Sequence, residues 1–164
     1  MKKLYIIIDN VRSAYNVGSI FRTADGVGVY EILICGISPT PEHLKVKKTA
    51  LGSTETIKWR YFKTTQEAIT SLKEQNVPVY GVEITDDAVN YLQIDYPNEV
   101  ALVLGHETEG IKRHILEMCD KVVYVPMFGK KESLNVATIA GIVMYEVMRE
   151  KILNSDSKGN VQSN

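Results

Sequence analysis

Cysteine is scarce in this chain of 164 residues, and the two present, Cys35 and Cys119, stand alone in apolar surroundings. Neither belongs to a Cys-x-x-Cys spacing, so buried, reduced thiols are expected. Net charge is equally scant, at −1, which argues neither for a polybasic nucleic-acid binder nor for an acidic solvating chain. No apolar run approaches the roughly 20 residues that a membrane-spanning helix needs. The opening "MKKLYIIIDNVR" reaches Asp9 too early for a secretory signal and carries no small-residue cleavage site. A cytoplasmic location is expected.

Several familiar signatures are also wanting. Gly26 and Gly28 lack a third glycine and close a helical pattern instead of joining strand to helix, so a dinucleotide fingerprint fails. There is no GxxxxGK[ST] and no GxSxG. "GHETEG" departs from HExxH at its last position, and His43, His106 and His114 lack ligand spacing, so no metal is expected.

What the chain does have is 45% hydrophobic residues, enough for one cored domain. That domain is expected over residues 1–153, with the polar, aperiodic tail 154–164 disordered. Apolar, β-branched runs recur at 4–8, 32–35, 57–61, 79–82, 100–104 and 122–125. Helical patterns fall at 17–27, 65–75, 111–118 and from 134 to about 153, and breaks at 36–43, 85–90 and 105–110. Strands apolar on both faces, alternating with helices, predict an α/β fold: a mainly parallel sheet covered on both sides. The last helix is apolar nearly all round, which predicts either burial through the core or a partner on its outer face; a homodimer is the expectation.

Three polar clusters sit at the ends of apolar strands, where open α/β sheets hold ligands. In "NVGSIFRTADGVG", Asn16 reads as the N-cap of a helix. Arg22 leans back over the turn of Gly18 and Ser19, with the glycine leaving its guanidinium uncovered. A phosphate or polarised hydroxyl would be stabilised there. In "LVLGHETEGI", Glu107 and Glu109 lie between Gly105 and Gly110. The glycines permit close approach of backbone to a ligand. A carboxylate in this loop can pair with a ligand's ammonium or hydroxyls, with another side chain, or with water. In "YVPMFGKKESLNVATIAG", Ser133 reads as the N-cap of the apolar helix, and Asn135 is an amide that needs a partner in chain or ligand.

Together "NVGSIFRTA", "LGHETEGI" and "PMFGKKESLNVATIA" resemble the three motifs of the SpoU/TrmH family of RNA ribose 2′-O-methyltransferases, within the knotted SPOUT superfamily. The resemblance covers residues 1 to about 150. It implies a C-terminal trefoil knot, a homodimer with active sites at the subunit interface, and S-adenosylmethionine as cofactor. Carried over residue by residue, it implies catalytic roles for Arg22, Asn16, Glu107, Ser133 and Asn135. The cofactor would be enclosed by Leu104, Gly105, Ile111, Val125, Met127, Ser133 and Leu134. The implied substrate is RNA, tRNA first and ribosomal RNA as the alternative. An RNA-binding protein without catalysis and a base methyltransferase are the competing readings. The substrate-binding domain of many relatives is not evident, so the catalytic dimer is expected to recognise RNA alone or with a helper protein. Local basic groups, Lys45, Lys47, Lys48, Lys58, Arg60 and Lys63 on one side and Lys112, Arg113, Lys130 and Lys131 beside the motifs, are expected to supply the phosphate contacts.

Overall fold

The computed structural model describes residues 2–156. In chain order it places β1 (Lys3–Asp9), α1 (Ala14–Val27), β2 (Glu31–Cys35), α2 (Leu44–Ala50), α3 (Ser53–Thr56), β3 (Trp59–Phe62) and α4 (Thr65–Lys73). There follow β4 (Val79–Val82), β5 (Val89–Asn90), β6 (Glu99–Leu104), α5 (Arg113–Leu116), β7 (Lys121–Tyr124), α6 (Val136–Val147) and α7 (Arg149–Asp156). The strands form one sheet in the order β3-β2-β1-β6-β4-β7-β5. Every pairing between them is parallel.

The expected double covering is present. β1 shows why, since its alternate side chains enter two different cores. Leu4, Ile6 and Ile8 pack with Val17, Ile20 and Phe21 of α1 and with Val143 and Met144 of α6. Tyr5 and Ile7 pack on the other face with Ala68, Ile69 and Leu72 of α4 and Ile115 of α5. Burial on both faces is what makes the run "LYIII" continuous instead of alternating. Cys35 and Cys119 are free thiols, the first buried and the second half-buried, and burial pushes each pKa up to about 12.

Several boundaries differ from the sequence pattern. α2 and α3 fill part of the stretch after the break at 36–43. With seven residues and only Val46 and Ala50 buried, α2 is too short to show a period. β5 lies inside the expected break at 85–90, as a two-residue edge strand on β7. The helix expected at 111–118 shrinks to the four residues of α5. The closing helix divides at Met148 into α6 and α7. Residues 154–156 of the expected tail finish α7, and the remainder of that tail lies outside the described residues. α6 buries Ala140, Val143, Met144 and Val147 against the sheet. Its other apolar positions are less covered, with Ile142 half-buried and Tyr145 49% exposed.

α1 and α2 approach closely at Gly18. A Cβ there would lie 2.7 Å from both the Val46 carbonyl oxygen and Thr49 Cβ. The glycine therefore serves helix packing at this contact. Replacing an open helical glycine with alanine normally stabilises by up to ~1 kcal/mol. At Gly26, where the nearest atom to such a Cβ is Tyr145 Oη at 3.6 Å, Gly26→Ala should be neutral or stabilising. Gly18→Ala should instead cost about 1–3 kcal/mol, because backbone must shift. Urea unfolding of the two variants against wild type checks the contrast.

Candidate active site

The carboxyl ends of β6, β4 and β7 open onto a cavity of about 420 Å³. All seven residues read as cofactor-binding line it: Leu104 and Gly105 after β6, Ile111 beyond the loop, Val125 and Met127 after β7, and Ser133 and Leu134 before α6. Among the described residues, no group of three or more His, Cys, Asp or Glu is placed to hold a metal ion.

The carboxylate of Glu107 forms one wall of this cavity and joins the three motifs. Its Oε2 accepts a hydrogen bond from the Arg12 backbone N–H at 3.0 Å, and its Oε1 accepts from the Ser13 N–H at 2.8 Å. The Asn16 side-chain amide also donates to Oε1, at 3.0 Å. Asn16 Oδ1 in turn accepts from Asn135 Nδ2 at 3.1 Å. Asn135 Oδ1 accepts from the Ala137 and Thr138 N–H groups and so caps α6. Burial opposes ionisation of Glu107, but donors from Arg12, Asn16 and Ser13 outweigh it and hold the carboxyl below its ordinary range.

Both caps differ from expectation. α1 is capped by Ser13, whose Oγ accepts from the Asn16 N–H at 3.3 Å, so Asn16 is inside the first turn and its amide is released for the chain of bonds. α6 is capped by Asn135 and not by Ser133. Ser133 stays exposed on the cavity rim with its hydroxyl turned to no partner among the described residues. Arg22 is exposed on α1, without a polar partner among the described residues, and does not line the cavity.

Glu83 is a site residue the sequence reading missed. It follows β4 directly, and its Oε1 and Oε2 accept the N–H groups of Ile84 and Ile111 at 2.9 and 3.0 Å. It thereby fixes the return of the loop that begins at Gly105. A Cβ on Gly105 would lie 2.6 Å from backbone atoms of Gly110 and Ile111, so only glycine lets this loop close. The one available signal was position, a carboxylate at the carboxyl end of a central strand. Asp9, at the end of β1, is outside the cavity lining. It is buried, and accepts from the Thr65 hydroxyl and the Asn10 amide.

A family model described as the SpoU rRNA methylase family matches residues 3–145. A 23S rRNA (guanosine-2′-O-)-methyltransferase of Neisseria meningitidis is 31% identical over 153 residues, covering 93% of this chain and 61% of the relative. A tRNA (guanosine(18)-2′-O)-methyltransferase of Escherichia coli is 30% identical over 148 residues, covering 90% of this chain and 64% of the relative. The chain thus spans under two thirds of the length of these two relatives. An AdoMet-bound rRNA methyltransferase from Sinorhizobium meliloti superposes with a TM-score of 0.85 at 29% identity, over 90% of this chain and 56% of that one.

Glu107 makes a distinct contribution to stability. Because its folded pKa is depressed, that contribution is fully present above the ordinary glutamate value and is lost as pH falls through the lower folded value. Glu107→Gln turns an amide toward three donors and should cost about 1–3 kcal/mol at neutral pH. Denaturation of both proteins across a pH series should show the gap closing on acidification; a constant gap would remove the carboxylate from this account.

Proposed function

Because the chain belongs to the SpoU rRNA methylase family, we propose that it transfers a methyl group from S-adenosylmethionine to a ribose 2′-hydroxyl of RNA. The observation that carries this reading is the run of hydrogen bonds from Asn135 through Asn16 to Glu107, which gathers the three motifs around one cavity. The cavity residues fit the cofactor. Leu104, Ile111, Val125 and Leu134 give apolar walls for an adenosine moiety, and Gly105 leaves no Cβ where the loop closes. The bound cofactor supplies an electrophilic sulfonium methyl.

The rest of the catalysis is positioning and charge. The ribose 2′-oxygen must face the methyl in line as its proton leaves. Arg22 is assigned to stabilise the developing alkoxide, since a guanidinium stays protonated in almost any protein setting and makes a poor base. Ser133 offers a free hydroxyl at the rim to orient the acceptor. Asn16, Glu107 and Asn135 act behind it as positioning residues, because their polar atoms are occupied with one another and with backbone. tRNA is the substrate we assign first and ribosomal RNA second; the relatives carry names of both kinds.

A homodimer completes each site in this reading. Two features support it: Arg22 lies outside the cavity wall of its own chain, and α1 packs beside α6, whose Ile142 and Tyr145 remain partly uncovered. A second copy on this face would cover those residues and bring Arg22 to the partner's cavity. We assign residues 1–153 to one such domain. A trefoil knot fits the topology, because β7 lies on the far side of β4 from β6 while α6 returns to pack on α1. No helix among the described residues is long and apolar enough to cross a membrane, and a cytoplasmic site of action is proposed.

Arg22→Ala should abolish methyl transfer while leaving cofactor affinity intact. Labelled S-adenosylmethionine, total tRNA and ribosomal RNA, and a nucleoside digest read the transfer, and calorimetry reads the affinity. Near wild-type turnover in the variant would sink the assignment. Ile142→Asp should convert the dimer to monomer in sedimentation velocity and lower activity with it; a monomeric wild type would refute the shared site.

A further inference from the structure

A second, shallower groove of about 460 Å³ lies beside the cofactor cavity and shares its wall of His106, Glu107 and Thr108. Its other sides carry Arg12, Ser13, Tyr15, His43 and Lys45. Most polar atoms here are already used. The Glu107 oxygens take the donors of α1, Ser13 caps that helix, and His43 Nδ1 accepts from the Lys45 N–H and caps α2. His106 Nδ1 accepts from the Thr108 and Glu109 N–H groups. What is left to meet a ligand is an aromatic face, two cations and the Nε2–H groups of His43 and His106, whose Nδ1 atoms accept from backbone. Tyr15 is 54% exposed, Lys45 Nζ stands 5.7 Å from the centre of its ring, and the Arg12 guanidinium has no polar partner among the described residues.

We propose that this groove seats one nucleotide of single-stranded RNA adjacent to the methylated one, its base stacked on Tyr15 and its flanking phosphates on Arg12 and Lys45; the proposal rests on the methyltransferase reading above. An exposed ring among unpaired cations suits a π-face and a phosphate together, the combination by which proteins hold single strands. The shared wall sets any occupant next to the cofactor cavity. Tyr15 and Arg22, seven residues apart, lie on one stripe of α1, about 10 Å along its axis. In the proposed dimer that stripe points Arg22 at the partner's cavity, so the seated nucleotide is placed by the shared wall, next to the one methylated over this chain's own cavity.

Fluorescence anisotropy with a short labelled oligouridylate tests this. Tyr15→Ala should weaken binding about tenfold or more, and Tyr15→Phe should restore it to within about threefold. Arg12→Ala and Lys45→Ala should each lower the slope of log affinity against log salt by about 0.7. Calorimetric affinity for S-adenosylmethionine should be unchanged in all four variants. Wild-type oligouridylate binding in Tyr15→Ala, or a parallel loss of cofactor affinity, would overturn the proposal. Should wild type methylate no RNA while oligouridylate binding still depends on these residues, the methyltransferase reading fails and the groove stands. Should wild type methylate RNA while all variants keep its KM and salt slope, the groove fails and the reading stands.

Discussion

The arrangement depends on one carboxylate whose three donors come from the protein instead of water. Glu107 sits in the loop after β6 and takes two backbone N–H groups from the start of α1. Those are groups that a helix entry would otherwise leave to a cap or to solvent. Their capture fixes where α1 begins, and so fixes the angle at which Asn16 faces Asn135. The amides have no freedom of orientation left. Asn135 spends its oxygen on the α6 cap, so its nitrogen must donate, and Asn16 must accept with its oxygen and donate with its nitrogen. Turning over either amide sets donor against donor or acceptor against acceptor at both of its contacts.

The cavity inherits its shape from this network and from the way the Glu107 loop closes on itself. Glu83 ties the end of that loop to β4, and Gly105 lets it fold back on itself at a distance that no side chain tolerates. Two acids thus hold the two ends of one loop, and neither needs a ligand to do so. The pocket is preorganised, which spares a bound cofactor the cost of ordering its own walls.

Legibility followed the length of the physical signal. The runs at 4–8 and 100–104 are buried on both faces over several residues, and the parallel sheet could be read from them directly. Ser13 and Asn16 are both good capping residues three positions apart, and nothing local separates them. The decision comes from Glu107, some ninety residues away. The same holds for Ser133 and Asn135, whose contest is settled by a bond to Asn16 across 119 positions. Glu83 looks like any loop acid until the Ile111 N–H arrives from a later loop. The seven cavity residues came as a set from the resemblance of the three motifs, and they line one cavity. The stance of Arg22 outside that cavity was not legible, since it depends on how α1 is laid against α2 and α6. Arg60 and Arg113, expected among the phosphate ligands, are engaged with Glu31 and Glu117, although exposed pairs of this kind are weak enough to be exchanged.

The raised pKa of both cysteines, one buried and one half-buried, has a practical side. With each thiol held in its protonated form far above neutral pH, neither competes as a nucleophile in the folded protein. A cysteine introduced on the surface would carry a thiol closer to its ordinary pKa than either native one. Spin labels or dyes could then be attached at a chosen point of an otherwise little-altered chain.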